Sequence, residues 1–366
     1  MNNYLYKHLG NIPGWRTKRK IIVFESDDWG SIRMPSQEVF NYLIESGLDI
    51  GQSRYNKFDS LESNNDLLGL FEIISGFKDR MNNHPVFTGL CIVANPDFEK
   101  IQENDFKKYY YEPFSESLKN YPEHDKVLDL WKEGAERKLF VPQFHGREHL
   151  NVQRWLRDLG RGNKHTFIAF QKRLWGIETS LITKDYLAAF DMDYPSDLNY
   201  MKNVIEEGLD LFEKLLGYKA KYFVPPNGPL NLGLEATLHE KGIKYITLDK
   251  RQKEPLGNGK YKTHYRYLGK QNRYEQVYLS RNAEFEPSVE GIDWVMKCLK
   301  DIEIAFRMRK PAVISSHRVN YIGTLDSKNR DKGLKQLSEL ISKILKNWPE
   351  VEFITSIELG ELIRKN

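Results

Sequence analysis

The chain has 366 residues, 40% of them hydrophobic, and carries 55 Lys and Arg against 51 Asp and Glu, a net charge of +4. That is enough chain for one large core, and the basic excess is too small and too scattered to indicate nucleic acid. No run approaches the roughly 18 consecutive apolar residues of a membrane span, and MNNYLYKHLGNIPGWRTKRK lacks the apolar centre of a secretory signal, so a cytoplasmic protein is expected.

Cys91 and Cys298 both sit in apolar runs and read as small core residues in a reducing compartment. Aromatic residues make up 13% of the chain, a share that suits either core filling or stacking on sugar faces.

In chain order, KIIVFESDDWG (20–30) reads as a strand buried on both faces that ends in adjacent carboxylates. Residues 36–47 follow as a helix with a Ser36 cap, then a helix over 65–77 and a strand over 85–95. The stretch 97–122 is aromatic and poorly periodic, with Tyr109, Tyr110, Tyr111 and Phe114, and reads as an insertion on the rim. A helix over 123–137 leads to a strand over 139–144, which runs straight into HGREH. Residues 160–183 are irregular, with a short helix around 167–175, and 197–216 form an amphipathic helix.

Further strands are expected over 220–224, 243–248, 276–280, 312–316 and 351–354. Helices fall between them to about 241, over 287–308 and 332–346, and at the end over 357–364. Residues 255–275 read as a surface hairpin turned at Gly257-Asn258-Gly259. This alternation over the whole chain predicts one parallel sheet, closed or nearly closed as a distorted (β/α) barrel of seven or eight strands with surface insertions, in a single domain over 1–366.

Each polar cluster falls just after a predicted strand: Asp27 and Asp28, His145 and His149, Pro225–Gly228, Asp249, and His317. In a β/α barrel those points converge on one face. A core strand gains nothing from two carboxylates at its end unless something binds them. His145 and His149, spaced i, i+4, share a face if they lie on a first helical turn. Two His and one carboxylate form the ligand set of a catalytic metal site, which Asp28 completes. His317 can shuttle protons near neutral pH. Arg147, Arg281 and Arg318 are candidates to hold a carboxylate, and Glu25 and Glu148 are spare acids.

The order strand–Asp-Asp, His-x3-His, Pro-Pro-x-Gly, strand–His resembles the polysaccharide deacetylases of carbohydrate esterase family 4, over most of the chain from about Lys20 onward. The resemblance implies a distorted β/α barrel, a divalent metal, usually zinc, on an Asp-His-His set, and removal of acetyl groups from N-acetylated sugars. It implies that Asp28, His145 and His149 hold the metal, Asp27 is the general base, and His317 is the general acid. The oxyanion and substrate side would involve Pro226, Asn227, Trp29, Arg147 and Arg318, with Asp249 tuning the acid.

The departures are specific. Val224 stands where the family has an arginine bracing the base, Asn227 where it has Tyr or Phe, and Trp29 is inserted before Gly30. Arg147 or Arg318 is the expected substitute for that arginine. A metal-dependent glycosidase or other amidohydrolase on a related barrel, and a sugar-binding homologue without catalysis, are the competing readings.

Overall fold

The computed structural model describes residues 8–176 and 185–365. Expectations for the first seven residues, and for 177–183 of the irregular stretch, lie outside the described residues. The described part of that stretch carries the helix Lys164–Gln171.

The main sheet comprises β1 (Ile21–Trp29), β2 (Phe87–Ile92), β3 (Phe140–Gly146), β4 (Tyr222–Phe223), β5 (Tyr245–Thr247), β6 (Val277–Leu279), β7 (Ala283–Glu284), β8 (Ala312–His317) and β9 (Glu352–Phe353). Their order is β6-β5-β4-β3-β2-β1-β8-β7, with β9 beside the first residues of β1, and every pairing is parallel. The sheet curls into a distorted (β/α) barrel. β6 and β7 end the hydrogen-bonded order and are joined by residues 280–282.

Alternation along each strand sorts residues between outside and inside. On β1, Ile22 and Phe24 enter the cluster beneath the outer helices, whereas Ile21 and Val23 enter an inner cluster with Tyr222, Val277, Leu279 and Val313. The same period carries Glu25 and Asp27 inward as the next two layers. On β8, Val313 belongs to the inner cluster, and Ser315 and His317 follow it upward.

The outer layer includes α1 (Gln37–Glu45), α2 (Asn64–Ser75), α3 (Val127–Glu136), α4 (Val152–Gly160), α5 (Asp197–Leu216), α6 (Trp294–Arg307), α7 (Ser327–Asn347) and α8 (Ser356–Arg364). Ser36 and Ser63 cap α1 and α2 with their hydroxyls, and Asp66 closes a capping box on α2. α8 supplies Leu359 and Ile363 to the inner cluster. A separate apolar cluster over the rim joins Leu43 of α1 to Trp155 of α4, with Phe170, Trp175 and Tyr186.

Several expected boundaries move. β1 runs five residues past Phe24, through both acids to Trp29. The long helix expected from 287 starts at Trp294 on an Asp293 cap. The hairpin begins earlier than expected, pairing Arg251–Gly257 with Lys260–Tyr265 around the expected turn. Among the described residues no helix is long and apolar enough to cross a membrane.

Gly333 ties α7 to the barrel top. A Cβ there would lie 1.7 Å from the carbonyl oxygen of Asn320, and the Asn320 amide donates to Glu286 Oε2 at 2.8 Å. Alanine inside a helix ordinarily gains about 1 kcal/mol over glycine. Overpacking here reverses the sign, and we expect Gly333→Ala to lose about 1–3 kcal/mol, read as a lowered urea midpoint.

Candidate active site

Two adjacent strand residues normally point to opposite faces. At Asp27 and Asp28 the register of β1 against β2 shifts between Ser26 and Trp29, and Asp28 takes φ +78°. This bulge breaks the alternation. Asp27 turns toward Arg281 and His317, and Asp28 toward His145 and His149. Both carboxylates are buried, with 5% and 3% of their surface exposed.

Asp28, His145 and His149 each offer a ligand atom within 4.8 Å of the others. His149 Nε2 lies 3.1 Å and His145 Nε2 3.6 Å from Asp28 Oδ1. The two histidines do not share a helical turn as the spacing suggested. His145 closes β3, His149 lies in the loop after it, and α4 starts only at Val152. The loop, rather than helical geometry, brings the rings together at 5.2 Å between centroids.

The donor chemistry fits a cation. His145 Nδ1 lies 2.7 Å from the Val224 carbonyl, which can only accept, so Nδ1 carries the proton and Nε2 presents a lone pair. That lone pair faces a carboxylate oxygen, an arrangement of two acceptors that a cation between them relieves. Burial holds His149 below its ordinary pKa, in the neutral form a metal requires. Its Nδ1 is buried with no hydrogen-bond partner among the described residues, and Trp175 stacks on its ring at 6.0 Å. Burial opposes the charge of Asp28, and the Arg33 guanidinium 3.7 Å away favours it.

Asp27 is gripped by Arg281 through two bonds of 2.7 and 2.5 Å. The same guanidinium donates to Glu25 Oε2 at 2.6 Å. Glu25 also accepts from Tyr222 and Ser356, at 2.5 and 2.6 Å. Burial works against the ionised form of Asp27, and Arg281 more than offsets it, leaving the pKa below its ordinary value. His317 Nε2 stands 3.9 Å from Asp27 Oδ2, while its Nδ1 pairs with Glu286 Oε1 at 2.6 Å. Burial disfavours the imidazolium, yet Glu286 pushes His317 up to about 9. Arg54 and Asn320 hold Glu286 in turn, at 2.7 and 2.8 Å.

Arg281, not Arg147 or Arg318, is the arginine on Asp27. Arg147 turns outward to Glu148, at 2.6 Å through two nitrogens, and to Glu207, packed between Tyr109 and Tyr111. Arg318 is wholly buried against Asp59 and Glu62 at 3.0 and 2.7 Å. Trp29 likewise leaves the site. Its indole donates to Ser26 Oγ, and its ring packs edge-on to Phe140 in the outer core.

Pro226 and Asn227 occupy a turn after β4, with Asn227 exposed at φ +55°. Asp249 is exposed beside this turn, its Oδ2 3.1 Å from where a Cβ on Gly228 would lie. Sequence reading missed Arg33 and Glu286. Arg33 sits between Tyr55 and Trp175, 3.2 Å from Asp59 and 3.7 Å from Asp28. Glu286 follows a strand of only two residues, too short to show in any pattern.

No family model matches the chain, and no curated protein sequence matches it. Solved structures do. One, assigned as a glycoside hydrolase/deacetylase from Parabacteroides distasonis, aligns with TM-score 0.53 and 10% identity over 95% of this chain and 72% of its own. Another, assigned as a polysaccharide deacetylase from Mycobacterium smegmatis, aligns with TM-score 0.45 and 12% identity over 96% and 93%. A third with the same kind of assignment, from Pseudomonas aeruginosa PAO1, gives 0.45 and 12% over 95% and 92%. At these identities the likeness is one of fold, and in the first of them it agrees with the barrel expected from the sequence.

The buried arginine separates a structural role from a substrate role. Removing Arg318 leaves buried Glu62 without its counter-charge and Asp59 with Arg33 alone, so Arg318→Ala should cost about 3–5 kcal/mol in chemical denaturation.

Proposed function

We propose that the protein is a metal-dependent hydrolase that removes acetyl groups from an N-acetylated sugar or a glycan precursor, acting through one barrel domain. The observation that carries this reading is the grouping of Asp28, His145 and His149 beside an Asp27 held by Arg281 and a His317 paired with Glu286. The structural neighbours assigned as deacetylases support it at the level of fold.

Asp28, His145 and His149 would hold the divalent ion, zinc by the resemblance to the deacetylase family. When bound, it supplies Lewis acidity toward the acyl oxygen and toward water. Asp27 then takes the proton of the attacking water, its orientation fixed by Arg281. His317, charged through Glu286, delivers a proton to the departing amine. The turn at Pro226–Asn227 supplies a backbone N–H toward the developing oxyanion. Trp175 and Tyr55, with Arg33 between them, form the wall beside His149.

Purified protein is expected to hold one divalent ion by elemental analysis, lost in Asp28→Ala and His145→Ala. Asp27→Asn should keep the ion and lose about 10²–10⁴-fold in kcat for acetate release. Full activity in Asp27→Asn removes it as the base, and absence of any acetate from acetylated sugars and glycans removes the function.

The proton on His317 sets a further expectation. The acid is present below its pKa of about 9 and absent above it, so activity falls on the alkaline side. A cation on the ligand set repels the imidazolium and can only bring that limb lower. Glu286→Gln should shift it further toward acid, seen as a lower alkaline midpoint in kcat/KM against pH.

A further inference from the structure

The net charge of +4 conceals a segregation. Residues 250–267 contain Lys250, Arg251, Lys253, Lys260, Lys262 and Arg266 against the single acid Glu254, so this one segment is more positive than the whole chain. Its hairpin pairs Arg251 with Tyr265, Lys253 with Thr263, and Pro255 with Tyr261. Paired residues of an antiparallel ribbon share a face. The opposite face packs inward, where Gln252 and Glu254 are buried and Glu254 binds His264 at 2.7 Å. The outer face therefore displays Arg251, Lys253, Thr263 and Tyr265, all exposed, Tyr265 by 67%.

Lys260 and Lys262, paired with Gly257 and Glu254, project from the other face toward the tip of the ribbon, where they too are exposed. Among the described residues, Arg251, Lys253, Lys260 and Lys262 form no ion pair. The nearest acids at the ribbon's tip are already engaged. Asp191 binds Arg154 and Tyr261, and Asp193 binds Arg154 and Arg157. Desolvated or paired lysines serve a fold, whereas four uncompensated cations on one ribbon repel each other and gain only from an anionic partner. The ribbon starts two residues after Asp249, which lies beside the Pro226–Asn227 turn of the candidate active site.

We infer that this ribbon binds an acidic polysaccharide, with Arg251, Lys253, Lys260 and Lys262 pairing its carboxylates and Tyr265 stacking on a sugar face. Tyrosine and threonine hydroxyls between the cations suit a hydroxylated polymer. An anionic bilayer fits less well, since Leu256 is the one exposed aliphatic side chain of the two strands. The choice of polymer class rests on the deacetylase reading and narrows its substrate to an N-acetylated chain that also carries acids. Binding itself needs no turnover.

Affinity electrophoresis of the full chain in gels containing hyaluronan or alginate, with neutral glycol chitin as the reference, tests this. The protein should be retarded by an acidic polymer and released by salt. Arg251→Glu/Lys253→Glu/Lys262→Glu should weaken retention at least tenfold, and Tyr265→Ala several-fold, with unchanged melting temperatures. Asp28→Ala should bind as tightly as the parent. If that binding holds while no acetate is released from any polymer, the deacetylase reading fails and the polysaccharide site stands. Retention by neither acidic polymer, equal retention of the charge-reversed variant, or tighter binding to phosphatidylglycerol vesicles or duplex DNA overturns the proposal.

Discussion

One guanidinium, that of Arg281, permits the interior of this barrel to be charged. Glu25 and Asp27 occupy successive inward layers of β1, at 0% and 5% exposure, where an unpaired carboxylate would not remain ionised. Arg281 binds both, and Tyr222 and Ser356 satisfy the remaining oxygen of Glu25. Glu25 is thus the foot on which the arginine stands, and Asp27 is its working end. The inner layers pass from apolar, at Ile21 and Val23, through this polar layer, to the open face where His317 is reached by solvent.

Glu25, Asp27, Asp28, Asp59, Glu62 and Glu286 face Arg33, Arg54, Arg281, Arg318 and the imidazolium of His317. Six acids against five cations leave one negative charge in a buried cluster, and its focus is Asp28, where His145 offers a lone pair instead of a proton. A divalent ion there turns the deficit into an excess of one positive charge. A site with that balance favours development of negative charge on a substrate oxygen, which acyl hydrolysis requires. The irregular stretch after α4 contributes by enclosure. Trp175, from the rim cluster, covers His149, and Arg33 is wedged between Trp175 and Tyr55.

The strand-helix alternation was legible because buried strands contain continuous apolar runs such as 21–24 and 312–314, and the polar residues that follow them stand out by contrast. The three ligand candidates were legible for the same reason. What was not legible has physical causes. The bulge at Asp28 leaves no mark in composition, because it depends on a backbone φ that any aspartate can be forced into. The i, i+4 spacing of His145 and His149 suggested a helix, but a strand end and a loop reach the same separation. Arg147 and Arg318 looked like candidates because they stand near site histidines in sequence; Arg318 directly follows His317 and points to the opposite face, and Arg147 lies in the loop past β3, where strand alternation no longer holds. Their guanidiniums accordingly serve the outer layers. Glu286 follows a two-residue strand that no periodicity can show.

The position of Arg281 shows how an arginine expected on one strand can be supplied from another. In a barrel the strand ends face a common axis, so a carboxylate on β1 can be approached from several strands. The position after β4 holds Val224, whose carbonyl is spent on His145, and the guanidinium comes from beyond β6. Its stem enters from residues 280–282, where the sheet's hydrogen bonding is interrupted between β6 and β7 and a long side chain meets no competing ladder. Chemistry in this architecture constrains the point in space where the guanidinium ends, and much less the strand from which it starts. A sequence pattern that fixes the arginine to one strand therefore fails on this chain, although the geometry around Asp27 remains complete.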